Sequence, residues 1–339
     1  MSFRVRPTRN DDFQAIYEMA KLTGGGFTNL PADKGALVDK LVRSEAALQN
    51  EIDEQRDDCF LLVLENVETG QVRGTCQIFA QVGTQWPFYS YRITTLTQTS
   101  KALGKTFRAE MLTLVTDFEG SSEVGGLFLH PQERAGGLGL LLARSRYLFI
   151  KLHRKRFGDR LLAELRGVID EAGNSPFWDG IAGRFFGMGF QEADQFNAMH
   201  GTQFIADLMP KTPIYTAMLP ETARAVMGVP HPSGRAAMKM LEREGFEYDG
   251  YIDIFDGGPT MAARTDNVRT IRESKELILS GLSDESSDEP LMVAAGRLRD
   301  FSACYGRVVN KGAQTATLDP ASAALLGIQP GDEFLAMGR

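Results

Sequence analysis

Cysteine is scarce in this chain. Three occur in 339 residues, Cys59, Cys76 and Cys304, too far apart for a ligand pair or a disulfide framework. Histidine is nearly as rare: His130, His153, His200 and His231 are scattered beyond the spacing of a metal motif, so no metal is expected. A positive balance is missing too, since 37 Lys and Arg stand against 44 Asp and Glu, for a formal charge of -7. That argues against nucleic acid, whose binding is driven by basic surfaces. No apolar run is long enough to span a bilayer, and the opening MSFRVRPTRNDD lacks the apolar core of a signal peptide. A cytoplasmic location without a membrane partner is the expectation. What is present is 43% hydrophobic and 24% charged, a globular composition, in a chain longer than one typical domain. Two or three packed units follow.

The stretch Glu123 to Tyr147 organises the rest. Leu127-Phe128-Leu129 reads as a strand, which gives way to a turn holding Arg134, Gly136, Gly137 and Gly139 and then to a helix from about Leu138. Such a helix N-terminus presents free backbone N–H groups to phosphate. An ordinary strand-to-helix turn has the same punctuation. No Lys-Ser or Lys-Thr follows the glycines, which excludes a nucleoside-triphosphate loop, and the glycine spacing is not that of a dinucleotide fingerprint. Arg134-x-x-Gly137-x-Gly139 resembles the pyrophosphate-binding loop of the GNAT superfamily of N-acyltransferases, where coenzyme A lays its diphosphate on the helix after the fourth strand.

Around this loop the pattern alternates strands and helices. Phe3 to Pro7 is a strand; Asp12 to Lys21 and Asp33 to Gln49 are helices separated by a glycine turn at Thr23 to Gly26. Phe60 to Glu65, Val72 to Gly83, Tyr91 to Leu96 and Glu123 to Leu129 are strands joined by close turns, which favours an antiparallel sheet. A helix to about Arg156, a strand at Leu161 to Val168 and a helix from Ser175-Pro176 to Gly187-Met188-Gly189-Phe190 complete the acyltransferase order. Ser233 to Glu244 is helical and stops at Gly245-Phe246, an echo of Gly189-Phe190 that fits a second, reduced half or two helices stopped alike. Tyr251 to Pro259 is a strand with an abrupt turn, and Asp266 to Ser280 reads as a helix. The acidic run Ser283 to Pro290 reads as a solvated connector before a tail of short strands and one brief helix, Ala321 to Leu326.

Six signatures add specificity: Phe128-Leu129-His130-Pro131, Ala163 to Glu171 (AELRGVIDE), Ser175-Pro176-Phe177-Trp178, Leu208-Met209-Pro210-Lys211, Pro213-Ile214-Tyr215 and Tyr251 to Pro259 (YIDIFDGGP). Together they resemble the arginine N-succinyltransferase family, including the related alpha and beta chains acting on arginine and ornithine. The resemblance implies an α+β fold: a GNAT-like mixed, mostly antiparallel sheet with flanking helices, a second α/β half and a small C-terminal β-barrel-like module. The expected units are an acyl-CoA-binding domain at 1–200, a second half completing the site at 201–281 and a β-rich module at 291–339. The implied reaction moves succinyl from succinyl-CoA, a cosubstrate rather than a prosthetic group, to the alpha-amine of L-arginine, giving N2-succinyl-L-arginine and CoA in arginine catabolism. A homo-oligomer or a mixed oligomer with a homologous chain is implied as well. The family also points to His231, in Pro230-His231-Pro232, as proton donor and to Leu127 as a succinyl-CoA contact, although a loop histidine or a core leucine is the ordinary reading of each.

Other roles rest on residue chemistry. Arg134, Gly137 and Gly139 are candidates for the cofactor loop. A guanidinium substrate calls for paired hydrogen bonds from carboxylates, for which Glu164, Asp170 and Glu171 are candidates with Asp253 and Asp256 as alternatives. Each also reads as an acidic strand end or turn. The succinyl carboxylate seeks a cation or backbone donors, and Arg166 and Lys211 are candidates. An acyl-cysteine on Cys76 or Cys304 is disfavoured against direct transfer, because neither has a His and acidic partner nearby in sequence. Three alternatives stay open: an N-acyltransferase for ornithine or another amine, a noncatalytic CoA-binding subunit, and a tail that binds DNA.

Overall fold

The structure, a computed structural model, describes residues 2–23, 29–134, 136–200, 203–284 and 289–338. Gly24 to Gly26 of the glycine turn and residues 285–288 of the acidic connector lie outside them. The chain starts with β1 (Phe3–Pro7), α1 (Phe13–Lys21) and α2 (Lys34–Gln49). Asp33 caps α2 by accepting from the Ala36 N–H at 2.8 Å. The two helices lay Ile16, Met19, Leu37 and Leu41 against Leu61 and Val63 of β2 (Cys59–Asn66). β3 (Gln71–Phe79) returns by a tight turn, and β4 (Ser90–Ser100) with β5 (Lys105–Val115) forms a long hairpin in register from Ser90↔Val115 to Ser100↔Lys105. β5 escaped the sequence reading because little of it is buried: Phe107 is 57% exposed, so no apolar alternation marks it.

Then come β6 (Ser122–Leu129), α3 (Leu138–Leu152) and β7 (Arg160–Glu164). α3 stops at His153 rather than near Arg156, and β7 ends at Glu164, after which Gly167 keeps one isolated bridge to Pro230. The helix expected from Ser175 to Phe190 is two short ones, α4 (Pro176–Gly180) and α5 (Gly183–Phe186), the latter ended by Gly187 at φ 63°. Phe190 opens α6 (Phe190–His200) instead of closing a helix, so the two Gly-Phe pairs are not equivalent. α7 (Gln203–Leu208), β8 (Ile214–Tyr215), α8 (Glu221–Arg224), α9 (Arg235–Glu244), β9 (Glu247–Ile252), β10 (Pro259–Arg264) and α10 (Arg269–Glu273) follow.

Lys275 onward is the main correction. The expected helix at Asp266 to Ser280 is only α10, and the chain then becomes β11 (Lys275–Leu282), where buried Leu277 and Leu279 alternate with exposed neighbours at the two-residue period of a strand. β12 (Leu291–Ala295), β13 (Ser302–Gly306), β14 (Val308–Asn310), β15 (Thr315–Leu318), α11 (Pro320–Leu326) and β16 (Glu333–Met337) complete the chain. β11 pairs antiparallel with β16 and parallel with β15, so the strands of the module begin before the acidic connector. All six of these strands and α11 feed one core, including Leu279, Val293, Cys304, Val308, Leu318 and Phe334. A flat sheet of six strands cannot bring its first and last members to one cluster; this one curls.

Hydrogen bonding joins all strands in the order β14-β15-β11-β16-β12-β13-β1-β2-β3-β6-β7-β10-β9-β4-β5-β8. Among the described residues only β6/β7 and β11/β15 pair in parallel. The fold is thus a mixed, mostly antiparallel α+β sheet with flanking helices, GNAT-like at its centre. Residues 201–281 supply β8, β9 and β10 to that same sheet. Its main core sets Leu141, Leu142, Leu148 and Phe149 of α3 against Phe60 and Leu62. Each such buried side chain contributes roughly 1.5–3 kcal/mol.

Candidate active site

Two parallel strands part company at the centre. β6 and β7 pair only at Ser122↔Leu161 and Glu123↔Leu162, while their outer edges remain bonded to β3 and β10. Beyond Glu123 the facing edges are open, and their backbone groups are available to an extended ligand. β6 also carries an extra residue, because Gln77 faces Gly125 and Thr75 faces Phe128. Gly126 takes φ 56° in this bulge, and a Cβ there would lie 2.7 Å from the Gln77 amide nitrogen, so glycine is required. Thr75 Oγ1 donates to the Gly126 carbonyl at 3.1 Å. Leu127 is in the bulge, partly buried against the core.

At the far end of β6 lies the glycine turn. Gly136 and Gly137 take φ of 70° and 81°, and Gly137 is the N-cap of α3. The Leu140 N–H of this 15-residue helix donates to the Gly137 carbonyl at 3.1 Å, which leaves the Leu138 and Gly139 N–H groups without intrahelical acceptors and suits them to an anion. Arg134 is exposed in the turn, and Gly139 is in the first helical turn beside Leu129. Tyr305 of β13 donates its hydroxyl to the Gly137 carbonyl at 2.8 Å. The C-terminal module therefore holds the turn from outside.

Acidic groups gather where β6 and β7 separate. Burial pushes the Glu164 carboxyl well above its usual range, and Asp253, Glu123 and Asp256 add like charge. Asp256 is pushed up in the same way, by burial and then by Asp253, although it accepts from the Gly167 and Gly258 N–H groups at 2.7 and 2.8 Å. Asp253, raised by burial, accepts from the Phe255 and Asp256 N–H groups. Asp194 of α6 is pushed up to about 6 by burial and Asp253, and Glu123 rises by burial while Asn29 Nδ2 donates to it at 3.3 Å. Against these acids stands Arg166, lowered by burial and opposed by Asp256 and Asp194.

His231 arrives from far along the chain. Its N–H donates to the Arg166 carbonyl at 2.7 Å, and the Gly167–Pro230 bridge fixes this junction at the end of β7. His231 caps the short turn Pro232–Gly234, with Nδ1 2.7 Å from Ser233 Oγ and accepting from the Ser233 N–H at 3.3 Å. Among the described residues Nε2 makes no hydrogen bond. Burial, with Arg166 nearby, lowers the imidazolium's hold on its proton.

Leu127, Arg134, Gly137 and Gly139 thus run along β6 to α3, while Glu164, Arg166, His231, Asp253 and Asp256 surround the end of β7. Asp170 and Glu171 stand elsewhere, exposed in a turn where Asp170 accepts from the Asn174 N–H and Nδ2 at 2.8 and 3.2 Å. Those bonds lower its pKa. Lys211 is exposed between α7 and β8, at the end of the sheet. Sequence reasoning missed Glu123, Asp194, Asn29 and Lys40; only Glu123 carried a signal, a carboxylate inside an apolar strand. Cys76 and Cys304 are 0% and 1% exposed, and burial pushes their thiols up to about 11 and about 12. Neither is poised as a nucleophile. Among the described residues no three His, Cys, Asp or Glu side chains gather to hold a metal, and no helix is long and apolar enough to cross a membrane.

Comparison with known proteins bears on the family and the fold. Residues 3–270 match the family described as arginine N-succinyltransferase beta subunit, and residues 275–337 match its C-terminal domain. An arginine N-succinyltransferase subunit beta from Pseudomonas aeruginosa is 40% identical over 327 residues, 96% of this chain and 95% of the relative. An arginine N-succinyltransferase from Citrobacter koseri is 44% identical over 273 residues, 80% of this chain and 79% of the relative. The solved structure of arginine/ornithine succinyltransferase subunit AI from Pseudomonas aeruginosa superposes with a TM-score of 0.89 at 31% identity, covering 99% of this chain and 98% of that one. The chain belongs to the arginine N-succinyltransferase family, CoA-dependent N-acyltransferases that move a succinyl group from succinyl-CoA to arginine.

Proposed function

We propose that this chain transfers succinyl from succinyl-CoA to the alpha-amine of L-arginine, with the opening between β6 and β7 as the reaction site. One observation carries the reading: β6 and β7 stay unpaired beyond Glu123, between the glycine turn that caps α3 and the junction where His231 bonds to Arg166. In this reading Gly137, Gly139 and Arg134 take the diphosphate, and the Leu127 bulge receives the pantetheine arm. Glu164, with Asp253 and Asp256, receives the cationic groups of arginine, and Arg166 pairs with its carboxylate. Asp170, Glu171 and Lys211 are left outside this constellation.

The amine must lose a proton before it attacks. A carboxylate of the Glu164 group takes it, the amine nitrogen bonds to the thioester carbon, and the tetrahedral centre breaks its C–S bond as the nitrogen's second proton leaves to solvent, so that a neutral amide remains. His231, as imidazolium, gives the Nε2 proton to the departing thiolate. Ser233 Oγ accepts from Nδ1–H in the imidazolium and keeps that bond in the neutral ring left once Nε2 has released its proton. The three buried cysteines are unpaired, which supports a reducing, cytoplasmic setting. The family description as a subunit supports an oligomer, of this chain alone or with a homologous one; light scattering tests it.

Release of free CoA from succinyl-CoA is the direct test. Arginine-dependent release is expected. A preference for ornithine, which the name of the superposed structure brings into play, moves the acceptor within the family. No release despite CoA binding overturns the catalytic reading.

A further inference from the structure

The polar group on the α2 side of the β6 bulge has no role in the reaction described above. Lys40 reaches from α2 over the sheet, and its Nζ donates to the Asn29 carbonyl at 2.6 Å and to Gln77 Oε1 at 3.2 Å. Gln77 in turn lies directly against Gly126, and its Nε2 donates to the Asn29 carbonyl. An ammonium has three donors, and here two go to neutral oxygens. Among the described residues no carboxylate lies within ion-pair distance of Lys40, a costly state for a desolvated cation. Burial pushes its ammonium down to about 8. The side chains facing it are Cys59 of β2, Glu123 of β6 and Arg43 of its own helix, and the Cys59 thiol is held up by burial.

We propose that Lys40 binds the free carboxylate of the succinyl group and so selects a dicarboxylic acyl donor. This rests on the proposed function, which sets the thioester at the Leu127 bulge. From a carbonyl there, two methylene groups separate the acyl carboxylate from its carbonyl carbon, and one glutamine side chain separates Gly126 from Lys40. The incoming carboxylate supplies the missing counter-ion at the third ammonium hydrogen. Gln77 and Asn29 fix the other two and aim the cation. Acetyl or butyryl groups leave Lys40 with Glu123, beyond ion-pair distance, as the carboxylate opposite it, which penalises them against succinyl.

The test compares kcat/KM for succinyl-CoA and butyryl-CoA, with arginine as acceptor, in the wild-type enzyme and in Lys40→Met and Lys40→Gln. The succinyl-to-butyryl ratio is expected to fall by about 30-fold or more in both variants, the scale of losing one partner of a buried charge pair. An unchanged ratio, whether both donors decline together or neither does, overturns the assignment. Where a variant fails to fold, the wild-type enzyme still decides: its ratio should fall above about pH 8 as the ammonium deprotonates, and a flat ratio sinks the proposal. Wild-type enzyme that releases no CoA from succinyl-CoA removes the activity itself, whereas normal release with an unchanged ratio removes Lys40 alone.

Discussion

His231 and Glu164 show how far one residue can be read. His231→Ala should lower kcat by about 10²–10⁴, the contribution of a placed proton donor, with CoA affinity by calorimetry unchanged. An intact kcat would remove the histidine from the reaction. Glu164 makes a pH-dependent case: with its carboxyl held well above the usual range, the acidic limb of kcat/KM for arginine should lie above that of an ordinary carboxylate. Glu164→Gln should shift that limb and raise KM for arginine; an unmoved profile puts the base elsewhere. Glu164 and the glycine turn lie in contiguous runs that drew attention in the sequence, whereas His231 stood out only through the family resemblance, a loop histidine being ordinary otherwise. Asp194, Asn29 and Lys40 were not, since each is a polar residue on or beside an ordinary helix whose burial arises only when the sheet brings it to β6 and β7. Asp170 and Glu171 show the converse: they sit in the same AELRGVIDE run as Glu164, but the chain turns away after Gly167.

The helix α3 is where elements meet. His153 at its end donates Nδ1–H to the Phe149 carbonyl at 2.8 Å and accepts the Leu298 N–H on Nε2 at 3.0 Å, tying α3 to the C-terminal module. Burial lowers its pKa from 6.5 to about 4. The folded state therefore binds fewer protons than the unfolded one between those values, so this stabilisation, about 3 kcal/mol, is complete above pH 6.5 and drains as pH falls through 4. Protection of the Leu298 amide relative to its intrinsic exchange rate should fall on acidification in the wild type and lose that pH dependence in His153→Gln. Most elements were legible because their apolar periods are clean. β11 failed since its alternation is short and set among helix-forming Glu, Lys and Leu residues, and only pairing with β15 and β16 decides it. The exposed β5 failed for lack of any apolar period, and it is held by the register of the β4 hairpin.

Across the whole molecule, one buried ion pair joins distant parts. Arg144 donates to Glu244 at 2.6 Å and to the Gly338 carbonyl, while Glu244 accepts the Thr270 N–H, so α3, α9, α10 and the C-terminus share it. Glu244→Ala leaves a buried guanidinium uncompensated and should cost about 3–5 kcal/mol in denaturant unfolding, whereas an apolar replacement of both partners should cost less. The sheet that this pair braces ends in two very short strands, β14 with 3 residues and β8 with 2. Pro213 stands immediately before β8 and Pro210 three residues earlier, where neither can donate to a growing ladder. β8 covers β5 at Met111 and Leu112 alone, so the two prolines keep short a cap that leaves most of the β5 edge open to another strand. Pro213→Val should lengthen that cap along β5, read as slower amide exchange at Thr113 to Val115.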